Sequence, residues 1–157
     1  MQMIHQLVGL LLLLAAVQGS LGLHVMRVEG TAMQPTLPGN TYVLCRAIDA
    51  GEAKPERFQV VITRYPGREG LVFTSRVVAL GGETVATRDG QLLIDGVRVE
   101  TPFACIQSDI PFGPVTLPDD TFFVMGDNRP ISNDSRSPQV GPLPLAMLEA
   151  VVMGVLW

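Results

Sequence analysis

The stretch "TVATRDGQLLIDGVRVE", residues 84–100, limits the fold more than any other part of the chain. Short runs of Thr, Val, Leu and Ile are separated by Asp-Gly pairs at 89–90 and 95–96. Asp-Gly tolerates the positive φ angles of tight hairpins, so neighbouring runs are expected to fold back on one another as antiparallel strands. The same grammar recurs elsewhere. "YVLC" (42–45), "FQVVITRY" (58–65), "LVFTSRVVAL" (71–80) and "FFVMG" (122–126) are rich in β-branched and aromatic residues and read as strands. "LAMLEAVVMGVLW" (145–157) reads as one helical turn leading into a buried strand, and "DAGEAKPER" (49–57) as a polar, exposed loop. No repeat appears, and no helical period longer than two turns survives beyond residue 25. These signals predict one mainly β domain over residues 25–157.

Residues 1–24 are of a different kind. "LVGLLLLLAAV" (7–17) is an unbroken apolar run, and from Ile4 to Val25 it is interrupted by polar residues, among them Gln6, Gln18, Ser20 and His24. At about 1.5 Å per residue, a helix of that length just crosses a hydrocarbon core of roughly 30 Å. Two readings stand: a retained single-pass anchor, or a signal-peptide-like segment with small residues before Ser20. A buried core helix fits less well, since no amphipathic stripe is present. The first cation, Arg27, lies beyond the segment, so charge alone sets no orientation.

The formal charge of −4 and the absence of any basic run argue against a nucleic-acid partner. Cys45 and Cys105 are too few and too scattered for a zinc site, so neither metal nor cofactor is expected. A single disulfide and two buried free thiols both remain open. Reactive bases are scarce: Lys54 is the only lysine, and His5 and His24 are the only histidines.

Three ordered stretches carry a resemblance. "GTAMQPTL" (30–37) resembles the type I signal peptidase box in which a serine precedes Met-x-Pro-Thr-Leu. "SRVVALGGE" (75–83) resembles that family's Lys-Arg-Val-Val-x-Leu-Pro-Gly-Asp box. "MGDNRPISNDSR" (125–136) is similar to its Gly-Asp-Asn-Arg…Ser-x-Asp-Ser-Arg box, nearly unchanged. The resemblance implies a coiled antiparallel β-sheet fold with an N-terminal membrane-anchor helix. It also implies a site at the outer face of the plasma membrane, where a Ser–Lys dyad cuts signal peptides from exported proteins. Carried over residue by residue, the nucleophile falls on Ala32 and the general base on Ser75. Neither residue type can do that work. The resemblance places Gly30, Met33, Pro35, Arg76, Asp127, Asn128, Arg129, Ser132, Asp134 and Arg136 around them as supporting residues.

A hydroxyl nucleophile needs a base within hydrogen-bond reach, and no substitute is evident. Neighbouring residues of an extended segment face opposite ways, so if Ala32 faces the cleft then Thr31 faces away. Lys54 sits in a charged, polar loop, whereas a lysine base needs burial to bring its pKa to roughly 7–8. His24 ends the apolar segment and reads as interfacial. Arg76, Asp127, Asp134 and Arg136 are expected to form a partly buried charge network, with Ser132 pairing with Ser75. Met33, Pro35 and Leu37 are expected either on the lipid interface or, for Leu37 above all, in the core. "VMRVEG" (25–30) reads as an edge segment, free to pair with a peptide strand or covered by its own chain.

The function expected is thus a membrane-anchored, catalytically degenerate signal peptidase homologue. It would retain the peptide-binding scaffold for exported or pilin-like preproteins, with membrane lipid and an active peptidase paralogue as further partners. The alternative is an active signal peptidase using an unrecognised dyad or a partner's residues. A tethered β domain without ligand is the third reading.

Overall fold

The computed structural model describes residues 22–49, 51 and 54–156. The anchor expected over residues 1–24 therefore falls, up to residue 21, outside the described residues. Among those that are described, no helix is long and apolar enough to cross a membrane.

Eleven strands and one 3-10 turn make up the described chain. The strands are β1 (Leu23–Arg27), β2 (Tyr42–Ala47), β3 (Val60–Arg64), β4 (Val72–Leu80), β5 (Thr84–Arg88) and β6 (Gln91–Ile94). They continue with β7 (Val97–Arg98), β8 (Phe112–Thr116), β9 (Thr121–Met125), β10 (Leu143–Pro144) and β11 (Leu148–Val155). Seven form one sheet in the order β1-β2-β11-β3-β4-β9-β10; the other four form a second, β7-β6-β5-β8. Every strand pairing is antiparallel.

Both Asp-Gly pairs make the turns expected of them. Asp89 and Gly90 have φ 51° and 73°, and Asp95 and Gly96 have 52° and 78°. Two consecutive left-handed residues match the twist of the flanking strands, so β5-β6 and β6-β7 close directly. The segment 145–157 behaves as read: a 3-10 turn at Leu145–Met147 runs into β11, which lies between β2 and β3. β8 and β10 were not expected. Gly113, Pro114 and Pro144 mask them, and both are edge strands, where proline's missing donor costs least.

β4 and β9 are covered on both faces, because successive side chains point opposite ways. Val77, Phe122 and Val124 enter a core with Val61, Tyr65 and Leu143. Their neighbours Val78, Phe123 and Met125 pack instead against Val85, Leu92 and Ile94 of the smaller sheet. A third core joins Val43, Cys45, Ile62 and Ala150 to Val28, Met33 and Leu37. Met33 and Leu37 are 1% and 2% exposed, so they belong to the core rather than to a lipid interface; only Pro35 of that trio is exposed. Two apolar anchors therefore clamp the 30–40 loop onto the main sheet.

The two cysteines are free, Cys45 in the third core and Cys105 half-buried near the 126–136 segment. Burial pushes the Cys45 thiol up from 9.0 to about 11. Folding then favours the protonated thiol, a contribution complete below pH 9 and lost as the pH rises through about 11. Denaturant-derived stability is expected to fall across that interval, and Cys45→Ala to flatten the fall. Identical alkaline limbs in the two proteins would show that the thiol is not buried as described.

Candidate active site

The 28–41 segment leaves β1 as a closed loop. Val28 N donates to Thr41 O at 2.8 Å, and Asn40 N donates to Val28 O at 2.8 Å. Within it the Leu37 amide reaches Met33 O at 2.8 Å, so the two core anchors also brace one turn. Gly30 sits at φ 76°, the left-handed region that glycine adopts without steric cost.

The loop is held from below by the segment after β9. Asn128 N and Ser132 Oγ both donate to Ala32 O, at 2.9 and 3.0 Å, and Asn128 Nδ2 donates to Thr31 O at 3.2 Å. Ser132 Oγ also has Asn128 O within reach at 2.7 Å. This contact leaves no room at residue 126. A Cβ there would lie 1.9 Å from Ser132 Oγ and 2.6 Å from Ala32 O, so only glycine allows the approach. The Ala32 carbonyl is thus doubly gripped, while its N–H has no hydrogen-bond partner among the described residues.

Ala32 lines a cleft of about 320 Å³. Met26–Glu29 form one wall of it, Gly70–Thr74 the other, with Met33 and Ile62 also lining it. Thr31 is exposed and is not part of the lining; residues 31–37 form a turn rather than the extended chain expected, so it is the turn and not strand alternation that keeps Thr31 out. The two walls include β1 and the start of β4. β1 is indeed an edge strand, paired only with β2.

Ser75 lies on β4, 3% exposed, and its hydroxyl meets Tyr65 Oη at 2.9 Å. This corrects the expected Ser75–Ser132 pair: Ser132 serves the Ala32 carbonyl, and Tyr65 takes up Ser75. Tyr65 stacks on Phe73 with ring centroids 4.1 Å apart. Burial raises its hydroxyl to about 12, with the Asp134 charge adding to the rise and the Ser75 hydrogen bond opposing it. A phenol held neutral so far above ordinary pH cannot serve as a base near neutrality.

The charged residues form two compact ion pairs rather than one continuous network. Arg76 donates through Nε to Asp127 Oδ1 at 2.8 Å and through Nη2 to Asp127 Oδ2 at 2.6 Å. Its Nη1 reaches Phe58 O at 2.7 Å, its guanidinium lies 3.8 Å over the Phe103 ring, and Thr36 Oγ1 donates to Asp127 Oδ2. Arg136 grips Asp134 through Nε and Nη2, both at 2.8 Å, and the Gly126 amide adds a bond of 2.9 Å to Asp134 Oδ2. Arg129 lies between the pairs. It is 4% exposed, its Nε donates to Gly126 O at 3.0 Å, and its carbonyl accepts from Arg136 Nη2 at 2.8 Å. Lys54 is exposed. Among the described residues no group of His, Cys, Asp and Glu is arranged to hold a metal.

Of the residues expected around Ala32, Asn128 and Ser132 bond to it, whereas Ser75 is not among the residues lining its cleft, and Arg76, Asp127, Asp134 and Arg136 pair among themselves. Sequence reading did not single out Tyr65, Thr36 or Phe103. Tyr65 looked like the end of a strand and Thr36 like part of a loop motif. Phe103 carried no local signal, because its partner Arg76 is distant in sequence.

Comparison with known proteins converges on one family. The family model described as "Signal peptidase, peptidase S26" matches residues 1–157. Signal peptidase I of Bacillus amyloliquefaciens is 32% identical over 120 residues, covering 70% of this chain and 63% of that protein. Signal peptidase I V of Bacillus subtilis is 31% identical over 131 residues, covering 74% of this chain and 76% of its own. A signal peptidase I from Enterococcus faecalis, known from a crystal structure, matches with a TM-score of 0.49 and 32% identity, over 66% of this chain and 97% of that one. The chain spans a little under two thirds of the length of the Bacillus amyloliquefaciens protein and of two further Bacillus signal peptidases it matches, from Bacillus subtilis and Bacillus licheniformis.

Proposed function

Because the chain belongs to the peptidase S26 family of signal peptidases, we propose that it is a non-hydrolytic member of it. In this reading the chain holds signal-peptide-like segments of exported or pilin-like preproteins in the Ala32 cleft. The apolar segment that precedes β1 anchors it in the plasma membrane, and the β domain, which takes in Leu23 and His24, works on the outer face beside lipid and an active peptidase paralogue.

One observation carries the proposal: the cleft and its supports are built, but the two positions that should do chemistry hold Ala32 and a buried Ser75. A methyl group has no electron pair to attack with, and a serine hydroxyl cannot take a proton from another hydroxyl near neutral pH. Other residues offer little rescue. Thr31 lies outside the cleft, and Lys54 is exposed in a loop, where nothing dehydrates it. Binding, by contrast, needs no dyad. The unpaired Ala32 N–H can donate to a peptide carbonyl, and an edge strand beside a cleft suits β-augmentation by an extended peptide.

Purified full-length protein in detergent is expected to bind a fluorescent signal peptide without cutting it. Ala32→Phe should fill the cleft and weaken binding by at least about tenfold, roughly 1.4 kcal/mol. Turnover above a heat-treated control would overturn the non-hydrolytic reading. Binding that is unchanged in Ala32→Phe would remove the peptide from this cleft.

A further inference from the structure

The 126–136 segment contains a cation with no anion to match it. Three guanidiniums, Arg76, Arg129 and Arg136, meet two carboxylates, Asp127 and Asp134, and both carboxylates are taken in bidentate pairs by Arg76 and Arg136. Arg129 is left over. Its Nη2 is buried and has no hydrogen-bond partner among the described residues. Burial and the nearby Arg136 charge both disfavour its charged form, while Cys105, Asp127 and Asp134 favour it. Natural proteins rarely leave a buried charged donor unpaired, and an absent ion or ligand is one recurrent reason.

Arg129 also lines a pocket of about 350 Å³ whose wall includes Ser132, the residue that bonds to the Ala32 carbonyl. Two further donors face it with capacity to spare. Ser108 Oγ accepts from the Ile110 amide at 3.3 Å, which leaves its own hydrogen free, and Arg136 keeps Nη1 beyond its bonds to Asp134. The remaining wall is largely apolar, formed by Ile110, Pro111 and Phe112. The volume exceeds that of a bare inorganic ion, and the lining joins an oxyanion-binding end to a hydrophobic one.

We propose that this pocket is a binding site for a small organic oxyanion, a carboxylate or phosphate ester bearing a short apolar group, with Arg129 and Ser108 holding its charged end. Asp134 stands near and repels such a ligand, but Arg136 neutralises it in place. The net charge of the five ionic groups is +1, so a single negative charge balances the cluster. Ser132 forms part of the same wall and also holds the Ala32 carbonyl. An occupant therefore sits one hydroxyl away from the loop of the candidate cleft.

The test uses full-length protein and four probes at matched ionic strength: chloride, inorganic phosphate, hexanoate and phenyl phosphate. Hexanoate and phenyl phosphate are expected to raise Tm saturably, by about 3–5 °C at ten times their dissociation constants. Phosphate should act more weakly and chloride not at all. Ser108→Ala, a change at the pocket mouth that leaves the ion pairs intact, should weaken the effect at least about threefold. Arg129→Gln should abolish it. Were Arg129→Gln not to fold, the Ser108→Ala response and the probe order decide the matter alone. No rise beyond chloride would overturn the proposal, and so would a rise indifferent to Ser108→Ala.

Discussion

The double variant Ala32→Ser, Ser75→Lys is expected to cleave a signal peptide, where the unmodified chain does not. Each single change should give little, because a hydroxyl and its base act as a unit and their effects are strongly non-additive. A rate at least about 100-fold above either single variant is the expected size of the effect, the lower end of what one general base contributes. The structure favours the second substitution in one respect. Position 75 is 3% exposed, so an ammonium there would be dehydrated and its pKa driven down toward the range of a working base. The neighbouring Tyr65 hydroxyl offers it a hydrogen-bond partner in place of the one it now gives Ser75. A double variant that folds, binds the peptide and still leaves it intact would mean that positions 32 and 75 are not opposed across one site. One that folds and neither binds nor cleaves would favour a tethered β domain without a peptide ligand.

Asp127→Ala should produce the largest loss of stability of any single change in the 126–136 segment. Asp127 is fully buried and accepts two bonds from Arg76 and one from Thr36. Removing it strands a guanidinium whose side chain is 7% exposed, which typically costs about 3–5 kcal/mol. For a domain of this size that lowers Tm by roughly 10 °C or more. Arg64→Ala is the matched control. It breaks the Arg64–Glu149 pair, whose side chains are 53% and 37% exposed, and such pairs contribute about 1 kcal/mol or less. Similar losses in the two variants by chemical denaturation would show that the Arg76–Asp127 pair is not the buried clamp described.

Where a signal was local, the sequence was legible. The Asp-Gly turns announced β5-β6-β7, because positive φ at two successive residues is a property of those residues themselves. Apolar runs located β2, β3, β4 and β9 to within a few residues. β8 stayed hidden behind Gly113 and Pro114, since an edge position excuses a proline that the local pattern condemns. The motif boxes named Asn128 and Ser132, which bond to the Ala32 carbonyl, yet they could not say which hydrogen bond each would make. Ser132 could have served Ser75 or the Ala32 carbonyl; only the close approach at Gly126 decides for the carbonyl.

By itself, then, the sequence determined a mainly β chain, membership of the signal peptidase family, and the absence of a hydroxyl at position 32 and an amine at position 75. Those are properties of residue type and spacing, present before any folding. The tertiary structure decided that Met33 and Leu37 lie in the core, that Tyr65 occupies Ser75, that four charges settle into two pairs, and that Arg129 is left without an anion. Each of these depends on which groups lose water together. Burial and partner choice are set by contacts between segments tens of residues apart, and nothing in the local chain encodes them.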